Sequence, residues 1–315
     1  MSNKTKLVIL SVLAIGLIAT FLFIDLGGNW DYVLPRRATK IAAIALTGAV
    51  IAFSTMIFQT ITNNRILTPS LIGLDSLYLL IQTFIIFVFG STSLAAVNPN
   101  LNFAISVGLM MVFAALLYKI LFKSGRNIYF LLLVGIIFGT FFGSLSSFMQ
   151  VLIDPNEFFI VQNQMFASFN NVNTDLLTVS FIVIIIVTIY FWRLMKYLDV
   201  LSLGKEQAIS LGVDYDYVVK RLLIIVAIFI SIATALVGPI TFLGLLVANL
   251  AHEFFKTYKH SYLIIGSILI SIVALVGGQL IVERVFTFST TLSVIINFVG
   301  GVYFLYLLLK ESKAW

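Results

Sequence analysis

The sequence predicts an all-α polytopic membrane protein with ten transmembrane helices and both termini cytoplasmic. Three observations lead there. Hydrophobic residues make up 61% of the 315 and charged residues 10%, with a mean hydropathy of +1.11. A soluble domain is nearer half apolar and a quarter charged, so this chain cannot cover a water-facing surface. The apolar residues fall into ten runs, each long enough to cross or nearly cross the ~30 Å of hydrocarbon that ~20 helical residues span. Helices satisfy every backbone group internally, as lipid demands. Finally, with the N-terminus inside, 15 of the 19 Lys and Arg residues fall on the cytoplasmic side and 4 outside, the asymmetry that sets membrane orientation.

Taken in order, the expected spans are 5–25, 36–62, 71–90, 101–122, 127–152, 175–197, 221–238, 240–256, 261–282 and 291–309. The first has a basic start and an apolar run, like a signal peptide. No small-x-small cleavage site precedes Asp25 and more spans follow, so it reads as a span. The second is long enough to tilt or to project into water. The third and eighth are short or begin with a break. Lys4, Lys6, Arg65, Lys119, Lys123, Arg126, Arg193, Lys196, Lys205, Lys220, Arg221, Lys256, Lys259, Lys310 and Lys313 are the inside set. The outside set is Arg36, Arg37, Lys40 and Arg284. Residues 1–315 read as one transmembrane domain.

The polar stretch Leu201–Arg221, LSLGKEQAISLGVDYDYVVKR, is too regular for a linker and too charged to span a bilayer. Lys205–Leu211 is one to two turns of helix formers. Gly212 follows as a left-handed stop. Asp214 caps a second short helix, with Tyr215, Val218 and Val219 at helical spacing. Ala208 and Leu211, three apart, are expected to share one face. Two readings stand: an amphipathic loop resting on headgroups, or a knob that docks into a groove of another protein.

Asn63–Asp75, NNRILTPSLIGLD, is a polar break following Gln59 at the end of the second span, with Thr68 and Pro69 as N-cap and N1 of the next helix. Non-helical backbone at membrane depth is tolerated only where protein buries it or it lines a wet cavity. Asp75 either faces a bundle interior or water path, or favours a helix N-terminus near the surface. Gly135, Gly139 and Gly143 form a small-xxx-small row on the fifth span. Such a row allows close helix approach, within this bundle or at a subunit seam or pore wall. Arg36, Arg37 and Arg284 lie at outer span ends. They are snorkelling or ion-paired, with Glu283 or Asp31 for example, or they dock an acidic partner surface.

The classes excluded are equally informative. The sequence holds no Cys, so there is no disulfide and no thiolate metal site. His252 and His260 are the only two histidines, and the His252–Glu253 pair at a helix end is not read as a metal site. No Gly-rich loop ends in Gly-Lys-Ser/Thr and no Ser/His/Asp set has catalytic context. Any energy for transport therefore comes from a separate protein or an ion gradient. The net charge of +6 carries no nucleic-acid signal here.

The blocks GAVIAFSTMIFQTITNNRILTPSLIG (48–73), LGKEQAISLG (203–212) and VGPITFLGLLVANLAH (237–252) resemble the ten-helix permeases of ABC importers for iron–siderophore complexes, haem and vitamin B12. The resemblance runs over nearly the whole chain. The stretch QTITNNRILTPSLIGLDSLYLLIQT resembles one branch, the second permease of catecholate siderophore systems of the petrobactin or anguibactin type. The usual Asn-Pro-Leu-Ala-x-Pro pattern reads Asn64-Arg65-Ile66-Leu67-Thr68-Pro69 here.

The resemblance implies a type II ABC importer permease in the bacterial cytoplasmic (inner) membrane, a transport subunit rather than an enzyme. Its implied partners are a second, homologous permease chain, a cytoplasmic ATPase dimer and an extracytoplasmic substrate-binding protein. The implied cargo is a ferric siderophore. No cofactor is expected on this chain; ATP and Mg belong to the ATPase. Lys205, Ala208, Leu211, Gly212 and Asp214 would sit in the coupling helices, about 203–220. Arg36, Arg37 and Arg284 would meet the binding protein. Gln59, Asn63, Asp75, Gly135, Gly139, Gly143 and Asn297 would line the translocation path or a helix seam. Haem, cobalamin or another chelate is the alternative cargo within the family. A gradient-driven secondary carrier and a non-transporting scaffold or receptor are the alternatives from other classes.

Overall fold

The computed structural model describes residues 2–25, 29–123, 128–288 and 290–312. Among these are fourteen α-helices, one 3-10 turn and no strand. The helices are α1 (Asn3–Phe23), α2 (Trp30–Thr62), α3 (Leu74–Phe89), α4 (Leu94–Val97), α5 (Pro99–Lys123), α6 (Ile128–Leu152), α7 (Pro155–Gln164), α8 (Thr174–Trp192), α9 (Met195–Leu201), α10 (Lys205–Ser210), α11 (Tyr215–Val237), α12 (Leu243–Phe255), α13 (His260–Arg284) and α14 (Leu292–Ser312). The 3-10 turn is Pro69–Ile72. Seven of the helices (α1, α2, α5, α6, α8, α11 and α13) are long and apolar enough to cross a membrane. Three shorter apolar helices, within α3, α12 and α14, complete the pattern. Arg126 and Lys313, counted on the basic side, lie outside the described residues.

The helix ends follow local chemistry. Ser2 accepts from the Thr5 amide, Asn173 from Asp175 and Leu176, and Asp154 from Asn156 with Pro155 at N1, satisfying first-turn donors that a helix leaves orphaned. α2 ends on Asn63 in the left-handed region, φ 47°. The Asn63 and Asn64 amides turn back onto Thr60 O and Gln59 O, the paired bonds of a Schellman ending with asparagine in place of glycine.

α2 and α11 form the centre and are buried along most of their length. α2 packs on α13, α11 and α12, while α11 also meets α5 and α8. Phe53 of α2 lies edge-on to Phe191 of α8, centroids 4.6 Å apart, and 5.3 Å from Phe229 of α11. Small residues let backbones close up elsewhere: Gly48 faces Ser271, and Gly244 faces Thr55. α1, α5, α6 and α8 turn mostly apolar side chains outward.

The contacts sort into two ends. At one, Lys6 donates to Phe254 O, Asn249 reaches Arg65 O, and α10 projects. At the other, Lys40 pairs with Glu283, Arg284 pairs with Asp25, and Glu157 accepts from Ser91.

Three local expectations are corrected. The sixth run does not continue to 197: α8 stops at Trp192, the Leu194 amide bonds Phe191 O at 2.7 Å in a tightened turn, and α9 starts in a new direction. Lys220 and Arg221 end no short helix. α11 runs through them unbroken, because Tyr215–Val237 holds neither Gly nor Pro and Arg221 stacks 3.8 Å over Tyr217 one turn back. Thr68 and Pro69 open only the 3-10 turn; Gly73, at φ 89°, resets the chain before α3.

Candidate functional site

The polar stretch folds as a projecting hairpin. Gly204 (φ 99°) turns the chain out of α9, and α10 follows. Gly212 sits at φ 82°. Its amide bonds Ile209 O, and the Val213 amide bonds Ala208 O, so α10 closes with a complete Schellman motif. Asp214 then accepts from the Tyr217 amide at 3.2 Å and caps α11. Lys205 lies 5.4 Å over the Tyr215 ring, across the hairpin.

One expectation fails here. Ala208 and Leu211 do not share an outward face: Ala208 is fully buried, whereas Leu211 is 63% exposed. The reason is the cap itself. Leu211 is already the C-cap, off the helical repeat, while the inward Ala208 and Val213 anchor α10 to the body. Leu203 and Ile209, which the sequence reading passed over, join Leu211 as exposed apolar side chains at the tip. An isolated hydrophobe on a surface needs no explanation, but three on one small knob mark a contact surface.

The second site is a pair of broken segments that meet. The first comprises Asn63–Gly73. Gln59 of α2 and Asn249 of α12 both donate to the Arg65 carbonyl, at 2.5 and 2.9 Å. Asn63 itself is exposed and serves as the C-cap of α2. The second break, Gly238–Phe242, separates α11 from α12. Asn297 of α14 accepts from the Phe242 amide at 3.4 Å. Asp75 ties the two together: it accepts from Thr234 at 3.3 Å and from Thr241 at 3.1 Å. Asp75 is thus both a first-turn residue of α3 and a buried one. Both sequence readings of it hold in part.

The glycine row divides. A Cβ on Gly135 would lie 2.7 Å from Ile72 Cα, and one on Gly139 3.2 Å from Gly73 Cα. These two receive the 3-10 turn of the first break. Gly143 meets no described atom within 4 Å and takes no part in that contact.

At the opposite end the three arginines behave differently. Arg36 is exposed and stacks 4.7 Å over Tyr32. Arg284 is paired with Asp25 at 2.8 Å and remains partly exposed. Arg37 is turned inward. Its Nη1 donates to Phe21 O, Leu22 O and Ile24 O at 3.2, 3.1 and 2.6 Å, capping the carbonyl end of α1 where a cation is favoured. Arg37 thus makes a structural cap, a role the sequence reading did not assign to it. The charge pairs Lys40–Glu283 and Arg284–Asp25 were not legible, because each joins residues about 240 or more positions apart. A cleft of about 570 Å³ opens at this end, lined by uncharged amides and hydroxyls including Gln82, Asn102, Gln164, Asn170 and Asn171.

A bundle of apolar helices with two broken segments in its interior, a knob at one end and paired charges at the other is the build of a multi-pass membrane protein. Residues 5–310 match the model of the FecCD transport family, and the chain belongs to that family. It is 68% identical over 316 residues to the petrobactin import system permease protein YclO of Bacillus subtilis, covering all of both chains. It is 37% identical to the petrobactin import system permease protein FatC of Bacillus anthracis, over 98% of this chain and 90% of that one. Among solved structures, an inward-facing metal-chelate type ABC transporter superposes with a TM-score of 0.84 at 21% identity, over 98% of this chain and 100% of that one. That likeness concerns the fold.

Proposed function

We propose that this chain is the permease subunit of an ATP-driven importer that carries ferric petrobactin, or a closely similar ferric catecholate siderophore, across the cytoplasmic membrane. The observation that carries the reading is the 68% identity to a petrobactin import permease along the full length of both chains.

In this reading the seven long and three short apolar helices are ten crossings. The hairpin end faces the cytoplasm with both termini. The chain acts as one permease domain beside a second, homologous permease. The outward apolar faces of α6 and α14, including Phe141 and Phe298, support such a neighbour. A cytoplasmic ATPase dimer, which holds ATP and Mg, receives Lys205, Leu211 and Asp214, with Gly212 as the turn that shapes the knob. Ala208 contributes from the inside. A substrate-binding protein docks outside on Arg36 and Arg284.

The geometry supports a transmission route. The hairpin is fused to α11, which is about 34 Å long at 1.5 Å per residue and central in the bundle. Its far end presents Thr234 to Asp75, beside the two breaks. A displacement of α10 is thus delivered to the segments where the membrane-depth backbone is not helical. The amide-lined cleft offers many weak hydrogen bonds and no formal charge among its described lining residues. Such diffuse contact suits a path that must release its cargo. The permease makes and breaks no covalent bond.

The test is transport in proteoliposomes. The chain, its second permease and the ATPase are reconstituted with the binding protein and iron-labelled petrobactin. ATP-dependent iron accumulation is the expected result. Accumulation driven by an ion gradient without ATP, or none with a folded complex, would overturn the proposal.

A further inference from the structure

A cluster at the hairpin end plays no part in the route through α11. Asp199 of α9 accepts, through a single oxygen, from the backbone amide of His260 at 2.9 Å and from its Nδ1 at 2.6 Å. His260 is the first residue of α13, whose N-cap residue Lys259 makes no side-chain cap. Asp199 therefore caps α13 from a different helix and opposes its positive end. The other ring nitrogen, Nε2, lies 2.8 Å from Thr60 Oγ1 of α2. Thr60 Oγ1 is also 2.8 Å from Met56 O.

The Asp199 carboxylate only accepts, so Nδ1 carries a hydrogen and donates to it. Nε2 and the Thr60 hydroxyl share the other contact, and the same hydroxyl also reaches Met56 O. His260 is 3% exposed, whereas the Asp199 side chain is 47% exposed. The junction is thus sealed on the α2 side and open on the α9 side. α9 in turn packs on α10, α2 and α13.

We propose that Asp199, His260 and Thr60 are positioning residues of energy coupling: a relay that passes hairpin movement from α9 to α2 and α13. It is a second branch beside α11, and it rests on the transport function proposed above. Its target is well placed. Thr60 lies directly after Gln59, which holds the Arg65 carbonyl of the first break. A shift of His260 against Thr60 therefore acts on the turn from which that break begins. Short bonds, charge-assisted where the Asp199 carboxylate accepts, pass displacement with little slack, unlike the van der Waals contacts around them.

The isosteric Thr60→Val removes only the hydrogen bonds of the hydroxyl. In the reconstituted complex with binding protein, iron-labelled petrobactin and ATP, uptake per ATP hydrolysed should fall by up to about tenfold, the upper scale of one hydrogen bond. ATP hydrolysis and complex yield should hold within about twofold, and Thr60→Ser should restore coupling through the retained hydroxyl. An unchanged ratio overturns the relay. So does a parallel loss of uptake, hydrolysis and thermal stability, which would make the cluster a cap and nothing more. If Thr60→Val does not assemble, Asp199→Asn carries the same test, since it keeps the shape and removes the charge; a ratio equal to wild type again overturns the relay. Wild-type protein in the same assay separates the two proposals: without ATP-dependent uptake there, the transport function itself fails.

Discussion

Replacing three glycines of α6 by alanine, one at a time, should give three different results. At Gly135 the new Cβ falls 2.7 Å from Ile72 Cα and 3.0 Å from Ile72 O. Both are backbone atoms of a short turn fixed on either side, so they cannot swing away as a side chain would. Overpacking of this kind costs about 1–3 kcal/mol. Alanine in a helix interior returns about 1 kcal/mol relative to glycine, leaving a net loss of up to about 2 kcal/mol at Gly135. At Gly139 the nearest atom is Gly73 Cα at 3.2 Å, close enough for a shift of a few tenths of an ångström to relieve, and the two terms roughly cancel. At Gly143 nothing described lies within 4 Å, so alanine should stabilise by up to about 1 kcal/mol. The assay is thermal unfolding of the purified chain in detergent, where 1 kcal/mol is about 2–4 °C for a large domain. The expected order of midpoints is Gly143→Ala, then Gly139→Ala, then Gly135→Ala. Equal midpoints for Gly135→Ala and Gly143→Ala would refute the packing of the 3-10 turn on α6. A Gly143→Ala chain that is stable alone but fails to pair with the second permease would assign that glycine to the subunit seam.

Three more outcomes are expected. Gly212→Val meets no described atom at its Cβ, but it forces a β-branched residue to φ 82° at a cost of about 1–3 kcal/mol. The knob should distort and uptake should fall while the complex still assembles and hydrolyses ATP; normal uptake would remove the coupling role of the hairpin. Arg36→Glu with Arg284→Glu should weaken capture of the binding protein in a salt-dependent manner, measured by co-sedimentation with proteoliposomes. Arg37→Glu should instead lower chain stability through the lost α1 cap, and loss of docking without loss of stability would reverse that assignment. Asp75→Asn keeps the size but turns one of the two acceptor oxygens into a donor, so the bond to Thr234 or to Thr241 is lost and iron uptake should drop while expression persists; full uptake would leave Asp75 as a helix-start residue alone.

The class of fold was legible because its causes are local. Apolar runs, left-handed glycines and capping residues act within a few positions, so the long apolar helices, the Gly212 stop and the Asp214 cap could be read directly. What escaped reading depends on contacts between distant residues. Nothing near Arg37 says that it will fold back on α1, since its three acceptors are backbone carbonyls 13 to 16 residues upstream. Ala208 was misplaced because simple helical spacing was carried one residue too far, into a cap where it no longer applies. The relay at His260 joins positions 60, 199 and 260, none of which is unusual in its own neighbourhood.

The two breaks have a common physical logic. α3 has 16 residues and α12 has 13, so at 1.5 Å per residue they are about 24 and 20 Å long, short of a ~30 Å hydrocarbon layer. In the proposed ten-crossing arrangement the remaining depth is filled by non-helical backbone, whose amides and carbonyls must find partners inside the protein. Side chains supply them, Gln59 and Asn249 at the Arg65 carbonyl and Asn297 at the Phe242 amide, while Asp75 joins the hydroxyls of Thr234 and Thr241 beside the second break. A continuous helix resists bending because every turn reinforces the next. A segment held by a few separate side-chain bonds can exchange them one at a time. The long, buried α2 and α11 are then suited to act as levers, and the short α3 and α12 with their breaks as the parts that move. In the proposed cycle the hairpin pushes the levers, and the opening and closing of the path is an exchange of those few bonds rather than the unfolding of a helix.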